Sequence, residues 1–127
     1  MITKNFQAIP IFRIFDEAKA REFYVGFLGC TVDWEHRCEP GLPLYMQVSR
    51  GSLVLHLSEH HGDATPGSTA LVQTGDGLEA LHAELTAKNY NHNRPGLETA
   101  PWKAKVMEVV DPFGNRLTFS QRTSTAN

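Results

Sequence analysis

The chain has little cysteine, no long apolar run and no concentration of charge of one sign, and each shortage removes a class of protein. Cys30 and Cys38 are its 2 cysteines. Their spacing fits no common zinc pattern and implies no oxidising compartment, so both read as ordinary thiols. Nowhere do about 18 apolar residues run together, and the opening "MITKNFQAIPIFRIF" lacks the apolar core of a secretory leader. A soluble, cytoplasmic protein with no membrane partner is expected. Lys and Arg total 12 against 14 Asp and Glu, a formal net charge of −2. The bases are scattered, so there is no electrostatic footprint for nucleic acid. Also missing are a Gly-rich phosphate loop and the strained G-x-S-x-G turn of a serine nucleophile, and Cys30 has no recognisable base beside it. No catalytic residue is assigned.

What is present suffices for one domain: 127 residues, 41% hydrophobic, enough to bury a core and too few for two ordinary domains. "AIPIFRI" (8–14) has strand composition, and "EAKAREFYVGFL" has helical periodicity with Phe23, Phe27 and Leu28 on one stripe. Asp16 can cap that helix and Gly29 can end it. Strands are expected at 31–37, 43–49 and 52–58, the last two joined by a tight turn at Arg50-Gly51. The scheme then repeats. "STALVQT" (68–74) reads as a strand, and Asp76 with Glu79 makes a capping-box-like start to a helix striped by Leu78, Leu81 and Leu85. A weak strand is expected near "NHNRP", then strands at 103–110 and 116–121 around the turn "DPFGN", whose Asp, Pro and Gly suit type I. The expected fold is α+β, two tandem β-α-β-β-β modules at about 7–59 and 68–121, with a linker at about 60–67 and a flexible tail at 122–127.

"LVLHLSEHHGD" (53–63) crowds His56, Glu59, His60 and His61 together, which raises the question of a metal. In a strand Leu53, Leu55 and Leu57 share one face and His56 lies on the other, because side chains alternate. Glu59, His60 and His61 fall where the strand gives way to loop composition, and are expected to face water rather than to complete a His56–Glu59–His60 ligand set. The same alternation sends Tyr45 and Gln47 away from Leu44, Met46 and Val48. Each of these polar or aromatic groups is open to two readings, ligand contact or sheet packing. Trp34, in the second strand, and Trp102, after Pro101, are likewise ligand contacts or core and interface residues.

Taken together, the tandem unit, "AIPIFRIFDEAKAREFYVGFLG", "GDATPG", "PW" at 101–102 and "DPFGNRLTF" resemble the glyoxalase/bleomycin-resistance group of the vicinal oxygen chelate superfamily, nearest in style to bleomycin-resistance proteins. The resemblance implies curved mixed sheets, each with a helix outside and a concave face forming a cleft. It also implies four metal-ligand positions, which fall here at Ile9, His56, Thr69 and Thr118. Only His56 can ligate well, and a catalytic zinc generally takes three protein ligands. No metal and no other cofactor are therefore expected.

The resemblance implies a metal-independent small-molecule binding protein that sequesters an aromatic or glycopeptide-like ligand in the cleft of a homodimer. The ligand-binding residues expected are Trp34, Tyr45, Gln47, His56 and Trp102, the last from its match to the "PW" position. The charge of −2 departs from the markedly acidic character of bleomycin binders in the group. Alternatives are a metal-dependent glyoxalase-like lyase, isomerase or dioxygenase with unusual ligands, an enzyme using His56 as general base, and a domain kept for oligomer contacts. Pro10, lacking an N–H, places the first strand at a sheet edge or across to a partner chain.

Overall fold

The computed structural model describes residues 5–122. Its elements run β1 (Ile11–Arg13), α1 (Glu17–Arg21, continuing in π-helical turns over Glu22–Phe27), β2 (Thr31–His36), β3 (Tyr45–Arg50) and β4 (Leu53–Ser58) in the first module. In the second they run β5 (Thr69–Gln73), α2 (Leu78–Ala87), β6 (Leu97–Ala100), β7 (Ala104–Val110) and β8 (Arg116–Arg122). Each module builds a four-stranded mixed sheet, in the orders β1-β4-β3-β2 and β5-β8-β7-β6. In each, the first strand runs parallel to the last and the remaining neighbours are antiparallel. The α+β fold of two tandem β-α-β-β-β modules is as the sequence implies.

The reason for the parallel pairing lies in the connections. A helix must intervene before the chain returns beside its first strand, whereas the antiparallel neighbours need only turns. The turn between β3 and β4 is tight because Gly51 takes a positive φ of 58°. Pro10 stands just ahead of β1, which among the described residues pairs with β4 alone at the edge of its sheet, and the Pro10 carbonyl accepts from the His56 N–H at 3.0 Å. That is the edge placement a proline tolerates.

One face of each sheet is packed. Met46, Val48, Leu55 and Leu57 are fully buried beside Phe12, Phe23, Tyr24, Phe27 and Leu28. Leu78, Leu85, Met107, Val109, Leu117 and Phe119 of the second module belong to the same buried cluster. Each fully buried side chain of this size contributes about 1.5–3 kcal/mol. Asp16 caps the first helix as expected, accepting from the Lys19 N–H at 2.9 Å. The widened turns that follow bond Leu28 N–H to the Phe23 carbonyl, five residues back, at 2.8 Å, which brings that stripe into line on the core.

The polar join between the modules is made by the turn "DPFGN". The buried Asp111 accepts the Tyr24 hydroxyl at 2.6 Å on one carboxylate oxygen, and the Phe113 and Asn115 N–H groups at 2.9 and 2.8 Å on the other. Asn115 donates to Asp111 at 2.9 Å and to the Arg13 carbonyl at 2.8 Å, and accepts from the Ser68 N–H at 3.1 Å. Burial, followed by the adjacent Asp111 charge, holds the Tyr24 phenol well above its ordinary pKa, so it stays a donor.

Three local expectations are corrected. Helix α2 is not capped by Asp76 and Glu79: its N-cap is Gly77, the Leu78 N–H is taken by the Gln121 side chain at 3.0 Å, and Glu79 pairs with Lys105 at 2.7 Å. A partner from β8 has displaced the local box. The weak strand near "NHNRP" lies instead at Leu97–Ala100, where pairing with β7 decides it. Arg122, assigned to the tail, ends β8, and the rest of that tail, 123–127, lies outside the described residues.

Candidate functional site

The unpacked face of the first sheet collects four of the five site residues expected from the sequence. Gln47 and His56 are register partners, and Tyr45 lies two residues from Gln47 on the same face. Trp34 reaches this face through an irregularity. Val32 pairs with the buried Val48, but the next paired residue, Trp34, sits opposite Gln47, so Asp33 is an extra residue in the ladder. A bulge of this kind re-aims the side chain that follows it.

These groups form a closed hydrogen-bond chain. The Tyr45 hydroxyl and His56 Nδ1 are 2.7 Å apart, His56 Nε2 and Gln47 Oε1 3.0 Å, and Gln47 Nε2 donates to Asp33 at 3.0 Å. Read from the carboxylate backwards, Asp33 accepts from the amide N–H, so the amide oxygen must accept from His56 Nε2–H. With the imidazole neutral, His56 Nδ1 accepts a hydrogen bond from the Tyr45 hydroxyl. Burial lowers the His56 pKa from its ordinary value, in agreement with that tautomer. Burial, and then the negative charge of Asp63, raises the Tyr45 pKa. Hydrogen bonds from Gln47 and Ser49 lower that of Asp33. Around the chain, Trp34 stacks on Tyr45 at 6.0 Å with a 10° interplanar angle, and meets the His56 ring edge-on at 5.2 Å. The result is a rigid aromatic surface whose histidine has both ring nitrogens engaged.

The fifth residue, Trp102, is not brought to this cluster. It lies in the turn between β6 and β7, 69% exposed. With Leu71, Gln73, Thr74, Ala104, Ser120 and Arg122 it lines a hollow of about 480 Å³ on the unpacked face of the second sheet. Leu71 is itself 64% exposed. The sequence reading passed over Asp33, Leu71 and Arg122. Leu71 was findable, since it alternates with Ala70 and Val72, and so was Arg122, two residues beyond Ser120. Asp33 was not, because alternation alone places it opposite Trp34.

The four expected metal-ligand positions carry Ile9, His56, Thr69 and Thr118, and His56 has no second imidazole or carboxylate ligand among them. Among the described residues no group of three or more His, Cys, Asp or Glu side chains could hold a metal ion. Glu59 accepts from the Leu44 N–H at 2.9 Å and lies 3.9 Å from Arg37, while His56 bonds Tyr45 and Gln47. The side chains of His56 and Glu59 are thus committed to different partners. The donors present do not fit a divalent metal centre.

Two four-stranded mixed-sheet modules, each with a helix on one face and an open polar and aromatic surface on the other, define the class. A family model described as glyoxalase superfamily protein matches residues 3–126, and the chain belongs to that superfamily. Among solved structures, the bleomycin resistance determinant encoded on transposon Tn5 aligns with a TM-score of 0.72 at 19% identity, covering 94% of this chain and all of that one. The bleomycin-binding protein from bleomycin-producing Streptomyces verticillus, complexed with copper(II)-bleomycin, aligns at 0.70 and 24% identity over 97% and 100% of the two chains. TnmS3, an antibiotic-binding protein from Streptomyces sp. CB03234, aligns at 0.67 and 22% identity over 95% and 100%. No curated protein matches the chain. Among the described residues, no helix is long and apolar enough to cross a membrane.

Proposed function

We propose that this chain is a metal-independent small-molecule binding protein of the bleomycin-resistance type, capturing an aromatic or glycopeptide-like ligand in a cleft built from two chains. The observation that carries the reading is the closed Tyr45–His56–Gln47–Asp33 chain under Trp34. A general base needs a free lone pair within reach of substrate, and here the Nδ1 lone pair of the neutral ring is already taken by a hydrogen bond from the Tyr45 hydroxyl. A binding surface instead needs rigid aromatic area with fixed polar groups, because little ordering entropy is then lost on capture.

Assembly follows from the separation of the two surfaces. None of Trp34, Tyr45, Gln47 and His56 lines the hollow that holds Trp102. A second copy, laying its first-sheet face over the second-sheet face of this chain, would bring all five to one ligand, twice in a two-fold dimer. The binding activities of the solved relatives support the same reading.

The test is a thermal-shift screen of bleomycin-type glycopeptides and other aromatic antibiotics, with tryptophan fluorescence as a second readout. A ligand at about 100 times its Kd should stabilise the fold by about 2.7 kcal/mol. Trp102→Ala and His56→Ala should each weaken the hits; unchanged affinity in both would place binding elsewhere. Light scattering should give twice the chain mass at micromolar concentration. Elemental analysis should find no stoichiometric Zn, Ni, Fe or Mn, and a metal lost in His56→Ala would support the metal-dependent alternative instead.

A further inference from the structure

Both unpacked faces carry exposed aromatic or apolar side chains, but they differ in the charge they hold out to a ligand. The hollow at Trp102 has a wall of Leu71, Ala104 and the indole, with Gln73, Thr74 and Ser120 as neutral polar groups. Arg122 is the charged side chain in its lining among the described residues. Arg21, Arg37 and Arg50 all have carboxylate partners, whereas Arg122 has no ion-pair partner among the described residues. The carboxylates on this face, Glu98 and Glu108, pair in register with Val106 and Thr118, and neither lines the hollow. Arg116 stands on the same face at the far end of β8.

We propose that the hollow between Trp102 and Arg122 takes the acidic end of a planar aromatic ligand, a carboxylate or sulfonate joined to a ring system. This rests on the reading of the chain as a small-molecule binder and narrows its ligand class. The guanidinium offers a planar fork of donors that a carboxylate meets with two parallel hydrogen bonds, and such charge-assisted bonds are about twice as strong as neutral ones. The indole offers a face for the ring, and Leu71 and Ala104 supply apolar contact. Among the described residues no carboxylate lines the hollow, so this chain's own side of the site offers a cationic group no ion-pair partner. The near-balanced charge of the chain agrees with a ligand that is not a polycation.

Three probes of one shape separate the terms: 2-naphthoate, 2-naphthamide and 2-naphthylmethylammonium, titrated by calorimetry into the full chain at low and high salt. The naphthoate should bind about tenfold or more tightly than the amide, with an advantage that shrinks in salt, and the ammonium should bind most weakly. Arg122→Gln should reduce naphthoate to the level of the amide while leaving the amide unchanged. Arg122→Lys should recover part of the difference, keeping the charge and losing the fork. Trp102→Ala should weaken naphthoate and amide alike. An ammonium that binds as well as the naphthoate, an acid-to-amide ratio unmoved by Arg122→Gln, or no naphthoate binding up to millimolar concentration overturns the proposal. If the antibiotic screen gives hits dependent on Trp102 while the acid-to-amide ratio ignores Arg122, the anion assignment fails and the binding reading survives. If Trp102→Ala and His56→Ala leave the hits bound as tightly as before, the binding surface itself is misassigned.

Discussion

Register lets the two unpacked faces be compared position by position. His56, flanked by Ile11 and Gln47 across its neighbouring strands, corresponds to Thr118, flanked by Leu71 and Glu108. In the first triplet His56 and Gln47 are tied into a hydrogen-bond chain that runs from Tyr45 to Asp33. In the second, Leu71 is largely exposed and lines the Trp102 hollow. One backbone pattern thus carries a self-satisfied surface in one module and an open hollow in the other. A repeated fold fixes where side chains are displayed and leaves their chemistry free.

The largest effect expected is at the join that holds the two faces in their relative position. Asp111→Ala would leave the Tyr24 hydroxyl and the Phe113 and Asn115 N–H groups without their acceptor. A loss of about 3–5 kcal/mol in urea unfolding is expected. A loss below about 1 kcal/mol would mean that apolar packing alone sets the arrangement.

The next test addresses the comparison itself. His56→Ala should cost about 1–2 kcal/mol, since it strips partners from Tyr45 and Gln47 together, while Thr118→Ala should stay within about 0.5 kcal/mol. Equal costs would erase the distinction between a closed face and an open one.

A smaller effect sharpens it further through pH. The folded-state pKa of His56 is lowered by burial, so the unfolded chain takes up a proton first as pH falls. This contribution to stability is complete above the ordinary imidazole pKa. It is lost as pH drops below that value, and the decline levels off only once the folded imidazole itself protonates. Urea unfolding across this mildly acidic window should therefore show a steeper fall for the wild type than for His56→Gln. Parallel profiles would mean that His56 titrates alike in both states.

Much of this was legible in the chain. The alternation of Leu53, Leu55 and Leu57 against His56 placed the histidine on the unpacked face, and Asp16 capped its helix as its type and position imply. Local signals succeed when the partner is local. What stayed hidden depended on partners far along the chain: Gln121 capping a helix 43 residues away, and Tyr24 meeting Asp111 at a separation of 87. The π-helical turns were hidden for another reason, because Phe23, Phe27 and Leu28 also fit an ordinary helical stripe. The separation of Trp102 from Tyr45 and His56 is not written in strand alternation, which gives the face a side chain takes within its own sheet and not its distance from the other sheet.

The bulge in β2 has a consequence for how this strand tolerates change in length. A regular strand shows neighbouring residues to opposite sides, yet Asp33 and Trp34 both serve the same surface, one through Gln47 and the other through Tyr45 and His56. Asp33 is supernumerary: Val32 opposite Val48 and Trp34 opposite Gln47 would be consecutive rungs without it. Deleting Asp33 should therefore leave the indole where it is and remove only the carboxylate, whereas deleting Trp34 would set Asp33 opposite Gln47 and remove the indole while Glu35 and His36 keep their rungs. Natural variation in length is accordingly expected at this one point of the strand, where the chain can gain or lose an acid without losing its place.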